Sequence, residues 1–288
     1  QLPRYLTSVP IPKCAACLFG AMTRVPWRRS KVKSEIFVAT RPDEIVSVDQ
    51  MQSTQPGFIA QMTGTPTKRR YTGATVFVDH FSRLKYVHLM EDLTSAETIR
   101  AKEAFERFAT DHGVTIEHYH ADNGRFKDNA FTQHCHQSHQ QLTFCGVNAH
   151  FQNGIAEKAI RDLTESARKM LLFAQNRWPD AVDMSLWPYA LRQAAYNDSL
   201  VPLEGQQLSK LDVFGRLRVA PNFKSLHTFG CPVYVLDKQI ADGKKIPRWT
   251  PRSKRHMNLG RAMDYASSVP LVLNVETGSI TPLFHVVF

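Results

Sequence analysis

Residues 154–177, GIAEKAIRDLTESARKMLLFAQNR, constrain the fold more than any other stretch of this chain. Ala156, Ile160, Leu163, Ala167, Met170, Leu171 and Ala174 recur at the spacing of one helix face, so the stretch predicts a long helix laid along a core. Trp178-Pro179 closes it, because the residue before a proline disfavours helical backbone.

The segments before that helix read differently. EIVSVDQM from Glu44, ATVFVDHFS, LKYVHLM, TIEHYHAD and LTFC carry the alternation of short strands. Residues 52–72 are rich in Gly, Pro, Thr and Lys/Arg and predict a long loop. SAETIRAKEAFERFATDHG predicts a helix capped by Ser95 and ended by Gly113, with Ile99, Ala104, Phe105 and Phe108 on one face. DNAFTQHCHQSHQ predicts a short helix, and another covers about 185–199. Paired strands first and strand–helix alternation afterwards predict an α/β domain with a mixed sheet. From Phe229 onward the texture changes to short β-like runs, which predict a small antiparallel module.

Four stretches follow: 1–43, basic, broken by prolines and reading as a linker; 44–200, the α/β core; 201–228, a linker; and 229–288, the β module. The chain begins at Gln1 and ends at Phe288 in strand-like sequence, so it reads as a piece of a longer polypeptide. No apolar run is long enough for a membrane span, and no signal pattern opens the chain, so an intracellular, non-secreted protein is expected. Five cysteines with one tight pair argue against a disulfide framework. The net charge of +10 favours polyanionic partners, nucleic acid first.

Three acids stand out. Asp49 lies inside an apolar strand, where a carboxylate is costly unless it meets a cation or a donor. Asp122 ends a strand ahead of an Asn-Gly turn, and Glu157 sits in the first turn of the long helix. Singly, Asp122 reads as a turn former and Glu157 as a helix-terminus charge. Together they offer hard oxygen ligands from separate elements, which suits Mg²⁺ and a two-metal phosphoryl transfer.

The set resembles the two-Asp-and-Glu triad of retroviral-type integrases. Glu157 follows Asp122 by 35 positions, close to the family's interval, and GVNAHFQNGIAE resembles the loop that precedes the family's Glu. FVDHFSR, NGIAEKAIRDLTESARKML, LWPYALRQAAYNDSLVP and FGCPVYVL are similar to the copia-type retrotransposon branch. The resemblance covers nearly the whole chain. It implies an RNase H-like fold, Mg²⁺ or Mn²⁺ held by Asp49, Asp122 and Glu157, and joining of element DNA 3′ ends to target DNA. It also implies a homo-oligomer working on paired DNA ends in the nucleus. Lys158 stands where the branch usually has Arg, and the 52–72 loop is longer than the branch leads one to expect.

Cys14 and Cys17 have the spacing of half a tetrahedral zinc site. In the family, two His precede such a pair; none precedes Cys14 here, so the resemblance makes 1–43 a truncated zinc-binding N-terminal segment and linker, and Zn²⁺ binding would need residues upstream of Gln1. Cys135 and His139 in HCHQSH could share a helix face, but a buried Cys135 with solvated histidines is the preferred reading. On the long helix Lys158, Arg161 and Arg168 are the candidate DNA-phosphate contacts. Two other readings stand beside the integrase: an inactive retroelement remnant that only binds nucleic acid, and an RNase H-type metal nuclease.

Overall fold

The computed structural model describes residues 14–21, 39–60, 67–146, 153–216, 226–263, 265–266 and 268–288, with Cys17, Leu18 and Ala21 as backbone only. In chain order the elements are α1 (Ala15–Ala21), β1 (Val46–Gly57), β2 (Tyr71–Asp79), β3 (Lys85–Met90), α2 (Ser95–Asp111), β4 (His118–Ala121), α3 (Asn129–Gln137) and β5 (Gln141–Phe144). There follow α4 (Gly154–Arg177), α5 (Trp187–Ser199), α6 (Lys210–Gly215), β6 (Pro232–Leu236), α7 (Lys238–Ala241), β7 (Ser253–Arg261), β8 (Pro270–Leu273), β9 (Ile280–Pro282) and β10 (Val286–Val287). No helix among the described residues is long and apolar enough to cross a membrane.

The first sheet has the order β3-β2-β1-β4-β5. β1, β2 and β3 are antiparallel neighbours, while β1–β4 and β4–β5 are parallel. A mixed five-stranded sheet of this order with helices on both faces is RNase H-like. Strand alternation sorts the residues. Val46, Val48, Phe77, Tyr119 and Ala121 face α2 and α3, where Ala101, Phe105, Phe131 and Cys135 close a core. Ala74, Val76 and Val78 face the other way, onto Ala159, Leu163 and Ala167 of α4 and Ala190 and Leu191 of α5.

The long helix follows the expected bounds, and its fully buried stripe is Ala156, Ala159, Leu163, Ala167, Leu171 and Ala174. Ile160 and Met170 pack at the rim of that core. Other expectations need correction. The long loop begins later than predicted, because β1 runs on to Gly57, with an irregular register between Gln52 and Gly57. There the Trp187 indole donates to the Gln55 carbonyl at 2.9 Å, so α5 holds the extension. α2 is capped by Thr94, not Ser95, and buries Thr98, Ala101, Lys102, Phe105 and Ala109. Its inner face is turned from the predicted one because α3 packs on it as well as the sheet. The stretch 201–228, read as a linker, contains α6, whose Phe214 is buried in the α2 core.

The second sheet, β10-β6-β7-β8-β9, is antiparallel throughout. It is not a separate core. Met257, Leu259, Leu271, Leu273 and Ile280 join the same apolar cluster as α4 and α5. The Trp178 indole donates to the Gly230 carbonyl at 2.8 Å, and Arg255 lies over that indole at 4.8 Å. Gly230, at φ 80°, comes so near that an added Cβ would meet the Ala174 Cβ at 2.7 Å. A side chain there would push the second sheet off α4.

Candidate active site

The parallel pairing of β1 with β4 brings the first two acids together. Val48 is the register partner of Ala121, and both point to the α2 core. Asp49 and Asp122 are each the next residue, so they step to the α4 side on neighbouring strands about 4.8 Å apart. β5 adds a third position at the same level. The Cys145 amide donates to the Ala121 carbonyl at 3.0 Å, and the Asn123 side-chain amide donates to the Cys145 carbonyl. The site thus forms at the carboxyl ends of parallel strands, the side of an α/β sheet where ligands bind.

Glu157 is delivered by α4. Asn153, the N-terminal flanking residue, is 1% exposed, and its Nδ2 donates to the Val48 carbonyl at 3.1 Å. One hydrogen bond therefore ties the helix start to the residue before Asp49. Ala156 is buried and Glu157, in the first turn, is exposed. The Asn153 Oδ1 is buried with no hydrogen-bond partner among the described residues and lies at the floor of this region.

Cys145 reports the convergence. Its thiol is pushed above the ordinary range first by burial, then by the charge of Asp122, and further by those of Glu157 and Asp49. All three carboxylates therefore act on one atom. Behind them lies a buried polar layer. The Cys145 Sγ is 3.6 Å from His120 Nε2, and His120 Nδ1 and His118 Nε2 lie 2.9 and 2.8 Å from the Thr143 hydroxyl. Ser47 Oγ meets His80 Nε2 at 2.7 Å. Burial, with positive neighbours, holds His80 down to about 4, so His80 is neutral at physiological pH, and burial also lowers His118.

Among the described residues no group of three or more His, Cys, Asp or Glu stands close enough together to hold a metal ion. The donor types still suit a divalent cation: carboxylate oxygens from β1, the end of β4 and α4. Asp49 accepts the Gln50 amide at 2.8 Å with one oxygen. The Asp122 carboxylate lies over Gly124, where a Cβ would meet its Oδ2 at 3.0 Å. Glycine there leaves the carboxylate room to turn.

Of the candidate phosphate contacts, Lys158 pairs with Asp162 at 2.6 Å, one helical turn on, and Arg161 is exposed. Arg168 donates to the Gly20 carbonyl at 3.1 Å and so helps hold α1 on α4. Cys14 is exposed just ahead of α1, and Cys17 lies in α1 with its side chain outside the described residues. In HCHQSH, Cys135 is buried, as expected. His134, expected to be solvated, instead sits between Lys102 (3.1 Å) and Glu103 (3.4 Å). The loop 147–152 ahead of Glu157 lies outside the described residues. Sequence reasoning missed Asn153 and Cys145; Cys145 precedes the quoted loop and Asn153 lies within it, but nothing local says that either one meets β1 or β4.

No protein-family model matches the chain. A curated relative is the retrovirus-related Pol polyprotein from transposon TNT 1-94 of Nicotiana tabacum, 24% identical over 258 residues. That match takes in 86% of this chain and 17% of the relative, so the chain spans under a fifth of the protein it resembles. Among solved structures, the HTLV-2 integrase catalytic core domain in complex with magnesium (trimeric form) is similar at 18% identity and a TM-score of 0.45, over 62% of this chain and 99% of that one. A simian T-cell lymphotropic virus intasome in complex with the PP2A regulatory subunit B56 gamma is similar at 19% identity and a TM-score of 0.48, over 90% of this chain and 82% of that one. At these scores the fold assignment rests on this chain's own strand order.

Proposed function

We propose that this chain is the integrase segment of a copia-type retrotransposon polyprotein, and that it joins element DNA 3′ ends to target DNA by metal-dependent phosphoryl transfer. The observation that carries the reading is the Val48–Ala121 register, which sets Asp49 and Asp122 on neighbouring strands, together with the Asn153 bond to Val48, which brings the start of α4, and with it Glu157, to the same strand. The likeness to the tobacco polyprotein supports it over most of the chain. Asp49, Asp122 and Glu157 would hold Mg²⁺ or Mn²⁺, which supplies charge stabilisation for the phosphodiester and acidifies the attacking hydroxyl.

The chain's own residues do the rest. Asn153 holds the start of α4 against β1, the strand that carries Asp49. Lys158 and Arg161 line the same end of α4. An exposed i,i+4 pair is worth little, so Lys158 can exchange Asp162 for a phosphate at small cost. Arg168 keeps donors beyond the one on Gly20. The working form is a homo-oligomer on paired DNA ends, acting in the nucleus. Zinc at Cys14 and Cys17 requires two further ligands from outside this stretch.

A strand-transfer assay with short duplex ends, in Mg²⁺ and in Mn²⁺, tests the reading. Asp49→Asn and Asp122→Asn are expected to abolish joining and to leave DNA affinity within about twofold, since each removes a carboxylate and no basic residue. Joining at the wild-type rate in either variant would refute the assignment. The wide spacing of acidic, His and Cys side chains among the described residues favours one second reading, a remnant that binds without joining. DNA binding with no product in either metal would establish it, and cleavage of an RNA–DNA hybrid without joining would point to an RNase H-type nuclease.

A further inference from the structure

Between α7 and β7 the chain crosses open surface. From Asp242 to Arg252 every residue is exposed except Ile246, which is half-buried. The connector is tied at its two ends. The Lys244 amide donates to the Gln239 carbonyl at 2.8 Å, and the Asp237 amide donates to the Arg252 carbonyl at 2.8 Å. Between those ties the Thr250 amide donates to the Pro247 carbonyl at 3.1 Å and closes a single turn. Trp249, inside that turn, is 91% exposed.

Thr250 is exposed at the end of the turn, with Pro251 directly after it. A residue before proline is biased toward extended backbone, and proline itself has no amide hydrogen. A catalytic cleft can select on both. Where it offers no acceptor at the position after the modified hydroxyl, proline fits, and any other residue would bury an unpaired donor. The chain has two other Thr-Pro pairs. Thr281 is half-buried in β9 and paired with Val272, so it cannot enter a cleft without leaving its ladder. Thr65 lies outside the described residues.

Charge sets what a phosphate would do here. Lys244, Lys245, Arg248, Arg252, Lys254 and Arg255 stand in residues 242–255 against one acid, Asp242. None of the six is in an ion pair among the described residues. Arg248 and Arg252 flank Thr250, two residues to either side.

We propose that Thr250 is a phosphorylation site for a proline-directed protein kinase, and that the phosphate weakens the hold of this connector on polyanions. The γ-phosphoryl group of ATP passes to Thr250 Oγ1. The new P–O bond forms as the bond to the ADP oxygen breaks, and the hydroxyl proton leaves to the kinase's base. The phosphate brings about −1.5 to −2 charges at pH 7, and its oxygens accept from the guanidinium groups beside it. Donors taken up there are withdrawn from any other polyanion. The modification stands apart from the joining activity proposed above, and its effect rests on the charge of the connector alone.

The test incubates the 288-residue chain with ATP, Mg²⁺ and a purified cyclin-dependent kinase, and maps the phosphate by mass spectrometry of proteolytic fragments. Incorporation is expected at Thr250, kept in Thr250→Ser and lost in Thr250→Ala. It should be slowed about tenfold or more in Pro251→Ala, which leaves the hydroxyl in place. On immobilised heparin the phosphorylated chain should elute at lower salt than the unmodified chain, because fewer counterions are displaced. No incorporation, or incorporation at Thr65 or Thr281 with Thr250 bare, overturns the site. Modification of Pro251→Ala at the wild-type rate overturns the proline-directed class. Elution of both forms at one salt concentration overturns the effect on polyanion binding. Strand transfer enters none of these readouts, so this site and the integrase reading fail separately.

Discussion

The two faces of β4 handle buried polarity in opposite ways. Tyr119 turns to α2, where its hydroxyl donates to Glu106 at 3.0 Å. Lys102, 0% exposed, meets the same carboxylate at 2.9 Å, bonds His134 at 3.1 Å and lies 5.5 Å from the Tyr119 ring. His120, the next residue, turns to the α4 side, where the charges of Asp122, Glu157 and Asp49 all reach Cys145. On the first face an acid is answered by a buried lysine, so the network is closed and structural. On the second no lysine or arginine is paired with Asp122 or Glu157 in a salt bridge among the described residues, and carboxylate oxygens are the donor type that suits a divalent cation. Charge completed within the chain serves the fold; charge left to be completed marks a site.

Removing the lysine should break the closed face most severely. Lys102→Met is expected to cost about 3 kcal/mol, because it leaves Glu106 uncompensated; the low end of the range applies since Glu106 stays 24% exposed. Urea unfolding checks this, and a loss below about 1 kcal/mol would mean that the α2 network is not the closed one described. Added Mn²⁺ should not rescue this variant.

Acid should strain the α4 side next. His80 is held near 4 in the fold, against an ordinary value of 6.5. A histidine depressed in the fold takes up its proton more readily in the unfolded chain. Its contribution is therefore complete above about pH 6.5 and is lost as pH falls toward 4, by about 2–3 kcal/mol. His88 acts in the same direction over the same window. Denaturation midpoints at about pH 7 and about pH 5 check the sign, and His80→Asn should flatten the profile. A stability that rises on acidification would contradict a neutral His80 behind the carboxylates.

The smallest effect on stability, and the sharpest contrast with Lys102, belongs to Glu157→Gln. Without metal its unfolding free energy should stay within about 1 kcal/mol of the wild type, the scale of a lost helix-terminus charge. Mn²⁺ should raise the wild-type melting temperature and raise that of the variant less, since only a ligand of the native state shifts unfolding. Equal shifts would make Glu157 an ordinary first-turn acid.

Much of the fold was legible in the sequence because it depends on neighbours in the chain. The stripe from Ala156 to Ala174 and the Trp178-Pro179 stop set α4, and strand alternation set most of the first sheet. The misreadings fell where tertiary contacts override local pattern. Lys102 carries the signature of a solvated helix residue, yet α3 and Glu106 bury it. Gln52 to Gly57 read as loop, yet Trp187 holds them in β1.

The sequence by itself determined which acids are candidates and which elements carry them, since an Asp within an apolar strand and a Glu in a first helical turn are local facts. Only the tertiary structure decided which elements bring them to one end of the sheet. Asp122 comes beside Asp49 through the Val48–Ala121 register, and Glu157 is fixed to the same strand by the Asn153 bond to Val48. The physical reason is the range of the forces. Periodicity is imposed by backbone geometry over a few residues. Register and docking are chosen by burial summed over partners far apart in the chain, and no local stretch records that sum.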